Sequence, residues 1–113
     1  MKLHDDDIEI LKMVKSIIDK DLSRHLTINQ LTRQVATGAT KLKKMFKQYY
    51  GIGIYSYLLQ ARMEQAKTLI LTTPKTMKQI AKLSGYKYYS NFIVAFTHYH
   101  GITPGAIRKK FES

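Results

Sequence analysis

The 113 residues contain no cysteine. That absence excludes thiolate metal sites, cysteine nucleophiles and disulfide scaffolds together, and it suits a reducing compartment such as the cytoplasm. Acids are nearly as scarce over most of the length. After Asp21 the only carboxylate side chains are Glu64 and Glu112, too few for positioned acid–base work, so an enzyme is not expected. No apolar run nears the roughly 18 residues of a membrane span, and the acidic start MKLHDDDIEI is unlike a signal peptide. A glycine-rich phosphate loop, a convincing strand and a low-complexity linker are also missing. His98 and His100 are two apart, whereas chelation on a helix favours a spacing of about four; His4 and His25 suggest no role. No metal, cofactor, membrane partner or small-molecule effector pocket is expected.

What is abundant is positive charge. Lys and Arg number 19 against 8 acids, a net of +11. The excess is unevenly placed: residues 1–26 carry five bases and six acids, and residues 27–113 carry 14 bases and two acids. A segment so basic favours a polyanion. With 44% apolar residues the chain can still fold as a single domain without disulfides.

Apolar spacing predicts helices throughout. Ile8, Leu11, Val14, Ile18 and Leu22 mark a first helix over roughly Asp6 to Leu22, its Asp cluster matching the positive end of the helix dipole. The segment TINQ (27–30) fits a capping box opening a second helix, with Ile28, Leu31 and Val35 inward. A third has Leu42, Met45, Phe46 and Tyr49 on one side, Lys43, Lys44, Lys47 and Gln48 on the other, and stops at Gly51. A longer helix follows from Ile54 to Leu71, carrying Tyr57, Leu58, Ala61, Ala66, Leu69 and Ile70 and ended by TTP at Pro74. TMKQIAKLSGY then gives a short helix ending near Gly85, and Phe92, Ala95, Phe96 and Tyr99 mark the next, which stops at Gly101. A last helix begins near Thr103, with Pro104 in its first turn.

The plan is written twice. FKQYYGIG (46–53) returns as FTHYHGIT (96–103), so Leu42 aligns with Phe92, Phe46 with Phe96, Tyr49 with Tyr99 and Gly51 with Gly101. Upstream, Leu31 aligns with Ile80 and Ala36 with Gly85 at an offset of 49 rather than 50, placing one extra residue in the second turn. Each copy is a short helix, a tight turn, a second helix and a glycine that closes it, which is the helix-turn-helix plan. The repeated apolar residues serve packing. Chemistry is expected on the opposite face, because the second helix of such a unit enters the major groove of DNA.

The two outward faces differ. The first offers Thr40, Lys43, Lys44 and Lys47, able to donate to guanine edges or phosphates, or simply to be solvated. The second has Tyr89 at its start, then Ser90, Asn91, Ile93, Val94, Thr97 and His98, and no strong cation. Asn91 suits adenine N6 and N7, and Val94 or Ile93 a thymine methyl, although an exposed Ile-Val pair would equally suit a protein contact.

With these motifs the chain resembles the AraC/XylS family of bacterial transcription regulators over roughly Leu11 to Lys110. The resemblance is carried by Ile80-Ala81, Gly85, Tyr86, Ser90, Phe92, Phe96, Gly101, Pro104 and Arg108, by Leu31, Leu42, Lys44 and Phe46-Lys47 in the first unit, and by Tyr57-Leu58, Arg62, Ala66 and Leu69 between them. It implies an all-α fold of about seven helices, with units at 1–52 and 73–113 joined by a linker helix at 53–72. It also implies base contacts from Thr40, Lys43, Lys44, Tyr89, Ser90, Asn91 and Val94, and phosphate contacts from Lys41, Lys47, Lys87 and Thr97. This chain departs from the family at Val94, where Arg is frequent, at Thr97, where Lys is usual, and at Tyr88, where a small capping residue is common. Two missing cations imply that the first unit supplies most of the affinity.

The expected function is sequence-specific binding of double-stranded DNA by a transcription regulator, its two helices entering successive major-groove segments about 34 Å apart, with RNA polymerase as a further candidate partner. The alternative is a helical protein–protein adaptor acting through the Ile93-Val94 face or the acidic first helix; RNA binding is a third option. Such regulators commonly carry a separate sensing or dimerising domain, for which 113 residues leave no room, so the chain is either a free-standing short member or the end of a longer one.

Overall fold

The structure is a computed structural model that describes residues 1–24 and 27–112; His25 lies outside them. Every regular element among the described residues is a helix: α1 (Asp5–Lys20), α2 (Ile28–Thr32), α3 (Ala39–Tyr50), α4 (Ile54–Thr72), α5 (Met77–Leu83), α6 (Tyr89–His100) and α7 (Pro104–Phe111). Contacts gather them into two compact units, Met1–Leu59 and Gln60–Ser113. The boundary falls inside α4. That helix is therefore divided between the units, with Ile54 and Tyr57 packing in the first and the buried Met63, Ala66 and Ile70 in the second.

In the first unit Leu11, Val14 and Ile18 of α1, Leu31 of α2, and Leu42, Met45 and Phe46 of α3 form the core. Both α1 and α2 pack on α3. Each of the larger side chains contributes about 1.5–3 kcal/mol by leaving water. The box at TINQ forms as expected: Thr27 Oγ1 accepts from the Gln30 N–H at 3.1 Å, and Gln30 Oε1 accepts from the Thr27 N–H at 2.8 Å. Gly51 closes α3 at φ 75°, its N–H donating to the Lys47 carbonyl at 2.8 Å. A side chain in that left-handed conformation costs roughly 1–2 kcal/mol.

The second unit repeats this. Thr76 and Gln79 make the same reciprocal box, at 3.1 and 2.9 Å, and Gly101 closes α6 at φ 74°. TMKQ thus mirrors TINQ at the 49-residue offset, a match legible in the sequence but not among the aligned pairs above. The extra residue is not in the turn. First residues of α2 and α3 are 11 apart and those of α5 and α6 are 12 apart, yet the connection shortens from residues 33–38 to residues 84–88, because α5 is longer than α2. Gly85 at φ 88° makes the tighter turn possible.

One inward position is corrected in each copy. Tyr49 and Tyr99 are 42% and 38% exposed. The residues that pack on the core phenylalanines are Tyr50, whose ring lies 4.7 Å from that of Phe46, and His100, 4.4 Å from Phe96. Four residues bring a side chain back over its own turn more nearly than three do. His100 Nε2 also donates to the Met63 carbonyl at 2.9 Å, which gives this histidine a structural role.

Arg108 anchors the end of α4 within the second unit. Its Nε donates to the Ile70 carbonyl at 3.2 Å, Nη2 to Thr73 at 2.9 Å, and Nη1 to the Lys75 carbonyl. A helix end leaves carbonyls without partners, and a guanidinium presents five donors on three nitrogens in a rigid fork, so that three separated carbonyls are reached at once.

Candidate nucleic-acid interface

Burial of Leu42, Met45 and Phe46 turns the opposite side of α3 outward, so Thr40, Lys43, Lys44 and Lys47 are all exposed. Lys43 and Lys47 line a shallow cleft of about 240 Å³ with Gly53, Tyr55 and Ser56. The exposed Tyr55 is a contact that sequence periodicity did not mark, since it sits beside the inward Ile54 at the start of α4. Lys41, expected on a phosphate, is exposed and also has a partner within the first unit: its Nζ lies 3.5 Å from Asp7 Oδ1. Asp7 in turn accepts from the His4 backbone N–H at 3.0 Å. That bond first, and Lys41 after it, hold the Asp7 carboxyl below the ordinary carboxylate range despite its burial. The pairing joins α1 to α3, which no local pattern announces.

On α6, Phe92 and Phe96 are fully buried, and Ser90, Asn91 and Val94 face solvent, Val94 with 70% of its surface exposed. Three other residues sit differently from expectation. Tyr89 is half-buried against the core of Met63, Ile80, Phe92 and Phe96, so only part of it faces outward. Ile93 is half-buried, which reduces the exposed Ile-Val pair to one valine. Thr97 Oγ1 is buried without a hydrogen-bond partner, so the hydroxyl is not presented to a phosphate. Lys87, just before the helix, is exposed, its Nζ 5.5 Å above the Tyr88 ring.

The starts of these two helices share a feature absent from α2, α5 and α7. Those three are capped by threonines, Thr27, Thr76 and Thr103. Helices α3 and α6 begin after Gly38 and Tyr88 with no side-chain cap. No N-cap side chain accepts from their first backbone N–H groups, and a helix start of that kind can donate to an external anion. Elsewhere in the first unit Lys15 pairs with Asp19 at 2.8 Å, Tyr57 donates to the same carboxylate, and the Asp19 and Tyr57 bonds hold the Lys15 ammonium above its ordinary range. Among the described residues no group of three His, Asp or Glu side chains is gathered for a metal, and no helix is long and apolar enough to cross a membrane.

A family model described as a helix-turn-helix domain matches residues 31–110. The chain is 32% identical over 97 residues to an HTH-type transcriptional regulator of Bacillus subtilis, YtdP, covering 86% of this chain and 13% of that protein. It spans 40% or less of the other curated relatives compared. Among solved structures, the C-terminal domain of the response regulator yesN from Fusobacterium nucleatum superposes with a TM-score of 0.81 at 35% identity, covering 86% of this chain and 95% of that one. The DNA-binding domain of AdpA, solved with a target DNA, shares the fold at a TM-score of 0.84 and 19% identity, over 89% and 91% of the two chains. Two helix-turn-helix units built on one repeated plan, with a family match over most of the length, establish that the chain belongs to the AraC-type helix-turn-helix family.

Proposed function

We propose that the chain is the sequence-specific, duplex-DNA-binding part of a transcription regulator acting in the cytoplasm, with α3 and α6 each entering a major groove and no catalytic step of its own. RNA polymerase is the machinery such a regulator would act upon. One observation carries the reading: α3 buries Phe46 and α6 buries Phe92 and Phe96, and each leaves outward a strip of side chains suited to base edges and phosphates, Thr40, Lys43 and Lys44 on one, Ser90, Asn91 and Val94 on the other. The adaptor alternative is less well supported: Ile93 is half-buried, which leaves Val94 alone on that face, and Asp7 and Asp19 of α1 are paired with Lys41 and Lys15, while Asp5, Asp6 and Glu9 remain exposed.

A salt titration tests the proposal. Binding through several phosphates gives an apparent association constant that falls linearly in log–log form with a slope of about −0.9 per phosphate neutralised. A slope near zero, as for apolar docking, would exclude it, and tighter binding to single strands than to duplex would favour the RNA reading.

The uncapped start of α3 yields a second expectation. Gly38 has φ −86° and ψ 165°, open to any residue, and a Cβ there meets nothing within 4 Å. Gly38→Asp should therefore stabilise the fold by about 0.5–1 kcal/mol, through a new cap and a less flexible unfolded chain. The same carboxylate would occupy the free N–H groups and repel phosphate, weakening duplex binding several-fold. Thermal melting and a binding titration on one sample check this; stability and affinity moving in the same direction would contradict it.

A further inference from the structure

We infer that the second unit recognises its half-site through the C5-methyl group of thymine, with Val94 as the specificity-determining residue and Asn91 beside it for the adjacent adenine. This deepens the DNA-binding function proposed above and rests on it. Among the described residues Val94 is the most exposed large apolar side chain. Its neighbours one turn away on α6 are Ser90, Asn91, Thr97 and His98, and with Ile93 half-buried no second apolar residue of this face joins it.

That isolation selects the occupant. A docking surface for a folded protein is a contiguous apolar patch of several hundred Å²; a lone branched methyl pair in a polar, uncharged surround is too small for one. It matches a target of its own size. In the major groove the thymine methyl is the one apolar group a base edge displays, and Asn is the residue that bonds adenine N6 and N7 together. A β-branched residue is also a poor choice for an exposed helix position, where packing offers it nothing in the free protein.

The cations lie off this face. Lys87 precedes α6 and stacks over Tyr88, while the face itself has none, in contrast to Lys43, Lys44 and Lys47 of α3. The methyl contact should consequently be independent of salt, unlike the contacts of the first unit.

The test uses a duplex selected from a random pool, with each thymine replaced in turn by uracil, which removes the methyl and leaves the pairing edge intact. Replacement at one or two positions confined to one half-site should weaken binding roughly fourfold each, the worth of one buried methyl, with the salt slope unchanged. In Val94→Ala, which keeps only the Cβ methyl, those same replacements should cost clearly less, and in Val94→Ser they should have no effect. Val94 is exposed, so folding of neither variant is at risk, and their melting temperatures confirm that. The inference is overturned if no uracil position matters, or if the uracil penalty is as large in either variant as in the parent. Failure to bind any duplex with a steep salt slope would instead overturn the DNA-binding proposal and this inference with it.

Discussion

Replacing Lys43 and Lys44 together by alanine is expected to weaken duplex binding about 100-fold in physiological salt, at roughly 1.4 kcal/mol for each lost contact. The salt slope should shrink by about 2 if both lysines meet phosphate, and by less if either is aimed at a guanine. Both side chains are exposed on the far side of α3 from its core residues, so stability should stay within about 0.5 kcal/mol of the parent. Asn91→Ala with Val94→Ala should cost less and leave the slope where it was, since that face has no cation. Titrations of the two double variants at four or more salt concentrations separate these effects. Equal losses from the two pairs would contradict the unequal division of work between the units.

The second large effect concerns the fold. Phe96→Ala should destabilise the protein by about 3–5 kcal/mol. The ring is fully buried, 5.7 Å from Phe92 and 4.4 Å from His100, and it closes the core formed by Met63, Ala66, Ile70 and Ile80. Removing it leaves a cavity that helices tied at both ends cannot fill. A loss of that size is a large fraction of the total stability of a small domain, so urea unfolding should begin in dilute denaturant. A loss below about 1 kcal/mol would show that the site collapses readily and that this core is loosely packed.

Much of this architecture can be read from residue spacing, because its causes are local. Caps at Thr27 and Thr103, glycine stops at Gly51 and Gly101 and the apolar stripes of α1, α3 and α6 are each set within a turn or two of chain. The repeat then supplies the topology. What spacing leaves open is decided between elements. Whether Tyr49 or Tyr50 faces inward depends on where Tyr57 of α4 meets Phe46. Lys41 reads as one more base of a lysine-rich helix until Asp7 of α1 is seen 3.5 Å from it. Arg108 is recognisable as part of a family pattern, yet its work on three carbonyls depends on the return of α7 to the end of α4. The outward side chains of the candidate interface were therefore legible where exposure follows from helical period, as at Thr40, Lys43, Lys44, Asn91 and Val94, and less so at Tyr89, half-buried against the second core, and at Thr97, whose hydroxyl is buried.

The central claim is that both outward helices read bases on one duplex. Selecting bound duplexes from a random DNA pool in physiological salt tests it most directly. The expected product is a motif in two parts, one enriched in guanine and weakened by Lys43→Ala or Lys44→Ala, the other containing A·T pairs and weakened by Val94→Ala. A pool that emerges with no enriched sequence, or with a single part indifferent to every change on α6, would contradict it.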